Sequence, residues 1–178
     1  MRTFLILLSA AALIACNGTT GPATGDFDSL PADQVLYGTD HATTVGGIRR
    51  SNLKSDTTLI FNDSSAIHLI GVNLETFDVN GRVTAELTSK TGQLDRNTNR
   101  MIARGTVVLN VKGAQPQTIT TEELHYDPQT KRIWSDVSSC QRRGVQTLCG
   151  SAFTAVTGDN GFTNVQIVNY SGTGIRIE

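Results

Sequence analysis

Between residues 55 and 168 apolar and polar side chains alternate at close intervals, and the alternation is broken at even spacing by clusters of turn-forming residues. The clusters begin at NDSS (62), DVNG (78), DRNTN (95), KGAQP (112), DPQTK (127), QRRG (141), TGDNG (157) and SGTG (171), so successive starts lie 14 to 17 residues apart. Each interval holds one strand of about ten residues or two shorter ones. GTVVLNVKG places Val107, Leu109 and Val111 on one face of a strand. TITTEELHYD places Thr120, Glu122, Leu124 and Tyr126 on one face and Ile119, Thr121, Glu123 and His125 on the other. No segment carries the i, i+3, i+4 apolar stripe of an amphipathic helix. The pattern predicts an all-β, antiparallel meander with essentially no helix.

The chain also repeats itself weakly. Shifted by 32 residues, LTSKTGQLDRNTNRM (87–101) lies over ITTEELHYDPQTKRI (119–133), matching Thr88 to Thr120, Leu94 to Tyr126, Asp95 to Asp127, Thr98 to Thr130, Arg100 to Arg132 and Met101 to Ile133. A fainter copy surrounds SDTTLIFNDSSAIHL (55–69). The unit is two strands and a turn. A stack of such units ends in unpaired edges that invite strand addition by a partner.

The N-terminus obeys another rule. Arg2 precedes an apolar run from Phe4 to Ala15, interrupted only by Ser9. That is too short for a bilayer core of about 30 Å, which needs about 20 residues, and it reads as a secretory signal segment, residues 1–15. Leu13, Ile14, Ala15 and Cys16 resemble a bacterial lipobox, which makes Cys16 the expected site of lipidation. NGTTGPATGD (17–26) is Gly- and Thr-rich, so residues 16–35 are expected to be a lipidated tether and 36–178 the folded domain. Loss of residues 1–15 moves the formal net charge from −1 to −2. Nothing in that balance suggests a nucleic-acid surface.

Export places Cys140 and Cys149, on either side of QRRG, in an oxidising compartment. A disulfide across that hairpin is expected, with two small buried thiols as the alternative. Two cysteines with no histidine nearby make no metal site, and His41, His68 and His125 are dispersed. No nucleophile elbow, phosphate loop or H-E-x-x-H motif is present. Glu122 and Glu123 are strand neighbours that point to opposite faces. The chain is therefore expected to be no enzyme and to need no cofactor. Asp95 and Asp127 read as turn starters, Arg100, Lys131 and Arg132 as cations on a solvated rim, and Trp134 as a packing residue.

A family resemblance rests on three stretches. ITTEELHYDPQTKRIWSDVSSC (119–140), with its I-T-T-[DE] opening and closing S-D-V, resembles a hairpin of the LptC proteins of lipopolysaccharide export. MIARGTVVLN (101–110) is similar to the family's apolar-x-x-x-G-x-V-x-V strand. CGSAFTA (149–155) and GFTNVQI (161–167) are similar to its last strands, with Gly150 at the opening position. The β-fold is one that LptC shares with LptA and the N-terminal part of LptD. The resemblance implies an open two-sheet β-jellyroll slab with an apolar groove for lipid A acyl chains. Leu94, Val107, Leu109, Val111, Leu124, Tyr126, Phe153, Val165 and Ile167 are its candidate lining. It further implies a periplasmic, membrane-anchored protein, the inner membrane being favoured. Its partners are then lipopolysaccharide, an LptA-like bridge protein that adds to the C-terminal edge strand (Phe162 to Tyr170), and LptF/LptG-like subunits of an ABC transporter. A structural or surface lipoprotein with a filled β-sandwich core and no groove is the competing reading.

Overall fold

A computed structural model of the chain describes residues 32–158 and 161–170. All regular structure among them is strand: β1 Gln34–Val45, β2 Ile48–Ile60, β3 Ala66–Phe77, β4 Val83–Asp95, β5 Met101–Val111, β6 Gln117–Asp127, β7 Arg132–Ser135, β8 Ser139–Arg143, β9 Gln146–Gly150, β10 Ala152–Gly158 and β11 Gly161–Val168. Every pairing is antiparallel. β1 to β6 form a simple meander, β1 starting within the stretch expected to be tether. Cys16 and the expected signal segment lie outside the described residues.

A transverse row turns this meander into two layers. Gly38 of β1 lies opposite Asp56 of β2, Asp56 opposite Gly71 of β3, and Gly71 opposite Lys90 of β4. Further along, two residues of β5, Gly105 and Thr106, face the single Glu122 of β6. Gly38, Gly71, Gly105 and Thr106 all have positive φ, between 51° and 78°. That conformation is cheap for glycine; the pairing stays one-to-one at Gly38 and Gly71, and the extra residue at Gly105–Thr106 makes a β-bulge. Each even-numbered strand answers with a charged side chain. Asp56 covers Gly71, filling the space a Cβ would need; Lys90 lies 3.1 Å from a Cβ at Gly105; Glu122 accepts the Thr106 N–H at 3.2 Å.

The row also moves the buried set by one residue, so alternation does not run unbroken along a strand. β3 buries Leu69 and then Val72; β6 buries Ile119 and Thr121 and then Leu124. The face expected for Leu124 and Tyr126, together with Thr120 and Glu122, is therefore corrected. Thr120 and Glu122 are exposed, and Leu124 joins Ile119 and Thr121 inside. Where the ladder bends, hydroxyls span the break. Ser89 donates to the Thr91 carbonyl at 2.9 Å, Thr121 to that of Glu123 at 3.3 Å, and Ser135 to that of Val137 at 3.2 Å.

Beyond β6 the sheet forks. His125 to Asp127 pair with β7, which continues to β10 and β11, whereas Thr118 to Thr121 pair with β8, which continues to β9. One core draws on both halves: Leu69, Ala103, Leu124, Ile133 and Phe153 from one, and Val72, Leu87, Val107, Leu109 and Ile119 from the other.

Candidate functional site

The two ends of the interior differ in chemistry because the strand register collects like residues into rows. In the β7–β10 half, Ile60, Ile67, Leu94, Met101, Tyr126, Ile133 and Ala155 stand in direct register across seven strands. Residues paired across an antiparallel ladder share a face, so this is one continuous apolar band on the inner side. Ile133 and Ala155 are buried, while Ile60, Ile67, Leu94, Met101 and Tyr126 are half-buried. At the other end the corresponding row reads Ser51, Thr76, Ala85, Val111 and Gln117. There Gln117 accepts from Arg143 Nη2 at 3.2 Å and from the side chain of Gln141. One mouth of the interior is apolar and the other polar.

The nine candidate lining residues separate into two groups. Val107, Leu109, Val111, Leu124 and Phe153 are each 5% exposed or less and belong to the packed core. These five are buried members of a single core cluster. Leu94, Tyr126, Val165 and Ile167 are half-buried; Tyr126, Val165 and Ile167 pack on that core from its margin, as does Phe162. Ile60, Ile67 and Met101 belong to the same margin and escaped the sequence reading. The repeat held the signal, since it aligns Leu94 with Tyr126 and Met101 with Ile133, all four of which fall in the apolar band.

The outer face of the same half is polar and internally satisfied. Arg104 Nε bonds Glu123 at 2.5 Å, and His125 Nε2 bonds the other carboxylate oxygen at 2.6 Å. The Arg104 hydrogen bond, and after it that of His125, outweighs desolvation and holds the Glu123 carboxyl below its usual range. His125 stacks on Trp134 with ring centroids 5.0 Å apart, Arg132 lies 5.1 Å over the same indole, and Trp134 Nε1 donates to Asp136 at 3.1 Å. Trp134 is thus a packing residue with its N–H spent. Among the described residues no three His, Cys, Asp or Glu side chains converge as a metal site would require, and no helix is long and apolar enough to cross a membrane.

Two features define the edges. β11 hydrogen-bonds on one side to β10 and ends the strand order. Gly150 stands where any Cβ would run into the Val168 carbonyl and the Ile167 side chain, and Ser151 N donates to that carbonyl at 2.9 Å. On the other branch the β8–β9 hairpin carries a Cys140–Cys149 disulfide between directly paired residues, with Cα atoms 4.0 Å apart.

A family model described as lipopolysaccharide-assembly, LptC-related, matches residues 5–147. Among solved structures, the chain is similar to LptH, the LptA-homologous periplasmic component of the lipopolysaccharide transport device of Pseudomonas aeruginosa. The TM-score is 0.53 at 12% sequence identity, over 71% of this chain and 95% of that one. At that identity the likeness is one of fold, the open β-jellyroll. No curated protein matches the chain by sequence.

Proposed function

The chain belongs to the LptC-related family of lipopolysaccharide assembly, and from that premise we propose that it is a non-enzymatic periplasmic carrier that receives lipid A acyl chains along its apolar inner margin. The observation that carries this reading is the half-buried band Ile60, Ile67, Leu94, Met101 and Tyr126, continuous across five strands beside a packed core. An acyl chain laid along it sheds water at about 0.8 kcal/mol per methylene. The contacts are many and equivalent, which suits a cargo that must move on. Leu124 and Phe153 form the floor beneath the band, Val107, Leu109 and Val111 carry the core on toward the polar end, and Val165 and Ile167 continue the band onto the last strand.

The same reading assigns the remaining parts. Lipidation at Cys16 ties the protein to the membrane face. The free side of β11 pairs with an edge strand of an LptA-like bridge protein, by main-chain hydrogen bonds. LptF/LptG-like subunits of an ABC transporter supply the energy, since a passive groove gives no direction to transport.

Photocrosslinkers placed at Leu94, Met101 and Tyr126 are expected to capture lipopolysaccharide, while one at Thr120, exposed on the opposite face, captures none. Equal labelling at all four positions, or at none, would defeat the proposal.

A further inference from the structure

On the polar half, a cavity of about 310 Å³ opens between the β5–β6 turn and the β8–β9 turn. Asn110, Thr118 and Arg142 form its wall and stand in register on three adjacent strands, on the face opposite to buried Leu109 and Ile119. Lys112, Pro116 and Gly144 rim the opening, and Val111 and Gln117, both buried, close its inner end. Its three wall side chains thus lie on the outer face of the sheet, at the end away from the acyl-chain band, and its chemistry stands apart from that reading.

Its polar groups are mostly donors. Thr118 Oγ1 donates to Asn110 Oδ1 at 2.9 Å, which occupies the amide oxygen and leaves the NH₂ group as the donor of that side chain. Arg142 enters none of the ion pairs among the described residues. Lys112 Nζ is held by Glu86 at 3.1 Å, so its charge is partly spent. A planar guanidinium beside an amide donor matches the several oxygens of a tetrahedral anion. The volume is about ten times the share of one water in liquid, room for a phosphate together with the carbon to which it is esterified.

We propose that this cavity is an anion site for a phosphate group, with Arg142 the principal donor, Asn110 its orienting partner and Lys112 a weaker flank. The phosphate is either free in solution or carried on a lipid head group.

The test titrates the full-length protein with inorganic phosphate, with dihexanoyl phosphatidic acid and with dihexanoyl phosphatidylcholine, following the backbone amides of Thr118 and Gly144 by NMR. Saturable shifts with inorganic phosphate or phosphatidic acid, salt-sensitive, weakened about ten-fold or more in Arg142→Gln and absent with the diester phosphatidylcholine, are the expected result. Lys112→Gln should weaken binding less, and Lys54→Gln, on the distant strand β2, should leave it unchanged. Shifts with inorganic phosphate alone assign the site to free phosphate, and shifts confined to phosphatidic acid assign it to a head group. No saturable shift with either, or full binding in a folded Arg142→Gln protein, overturns the site. Neither result bears on crosslinking at Leu94 or Tyr126, so the two proposals fail separately.

Discussion

Arg100 clasps Asp127 through two nitrogens, Nη2 at 2.8 Å and Nε at 3.1 Å from the same carboxylate oxygen, tying the β4–β5 turn to the β6–β7 turn 27 residues on. Asp127's other oxygen caps its own turn through the N–H groups of Gln129 and Thr130. Its counterpart in the repeat, Asp95, does the same through Asn97 and Thr98 and accepts Ser65 Oγ at 2.6 Å. The two aspartates expected as turn starters are thus also the ties between successive repeats, and Arg100 is more than a solvated rim cation.

This arrangement predicts a specific acid sensitivity. The Ser65 hydroxyl, and then the Thr98 amide and hydroxyl, lower the Asp95 pKa to about 2. For Asp127, burial opposes ionisation, but the amides of Gln129 and Thr130 and the Arg100 guanidinium prevail, and the net shift is downward. A carboxyl whose folded pKa lies below its unfolded value stabilises fully above the unfolded value, about 3.9, and loses that contribution as pH falls through the folded one. Urea midpoints should therefore drop between about pH 4 and pH 2. The drop should be shallower in Asp95→Asn, which starts from a lower midpoint at neutral pH. Parallel pH profiles for the two proteins would show that Asp95 carries no such linkage.

The bend row predicts a contrast between two glycines of like conformation. Gly71 and Gly81 both have positive φ, but a Cβ at Gly81 meets open space and one at Gly71 meets Asp56. Gly81→Ala should cost about 1 kcal/mol from backbone strain alone. Gly71→Ala should cost more than about 2 kcal/mol, a fall in melting temperature of at least about 6 °C in a domain of this size. Asp56→Gly should rescue part of the second loss and none of the first.

How much of this was legible in the sequence follows from the same row. Turn clusters and alternation fix the strands, and the 32-residue shift reflects real structural equivalence, Asp95 with Asp127 and Leu94 with Tyr126. The switch of face inside β6 was hidden because TTEELHY is polar on both sides of the bend, so alternation gives no contradiction there. The glycines were visible: Gly38, Gly71 and Gly105 recur at 33 and 34 residues within strand-like segments, and a glycine inside a strand marks a bend, a bulge or a close approach. What a single sequence does not display is that Asp56, Lys90 and Glu122 on the intervening strands answer them. The division of the candidate lining into core and margin was likewise out of reach, because apolar character reports which face is inward and not its depth.

The disulfide should act through the unfolded chain. Closing so short a loop removes about 2–3 kcal/mol of loop entropy from the unfolded state. Cys140→Ser/Cys149→Ser should unfold at correspondingly lower urea than the oxidised parent and match the parent in reductant. Equal stability of parent and variant without reductant would show that the bond contributes nothing.

Gly150 predicts a defect confined to the last strand. Its missing Cβ allows Val168 and Ile167 to close over the end of β9. Gly150→Val should expose the amides of residues 162–168 to faster hydrogen exchange and weaken pairing with a bridge-protein edge strand, leaving the exchange of β3 to β5 unchanged. Uniform acceleration across the domain would instead mark Gly150 as a general core position.

The separation of core from margin gives the prediction that decides between a carrier and a filled sandwich. Val107 and Phe153 are 1% and 2% exposed, so an aspartate at either is an unpaired buried charge, and such variants should lose more than about 4 kcal/mol or fail to fold. Leu94 and Ile67 pair with each other on the half-buried band, where a carboxylate reaches water by rotating outward. Leu94→Asp and Ile67→Asp should therefore melt only a few degrees below the parent while losing most of the lipopolysaccharide captured by a crosslinker at Tyr126. Thr120→Asp, on the opposite exposed face, should retain both. Melts and crosslinking run on the same preparations distinguish the cases. If the band variants fold and still bind lipid like the parent, the apolar margin is packing surface only, and the lipid path lies elsewhere on the protein.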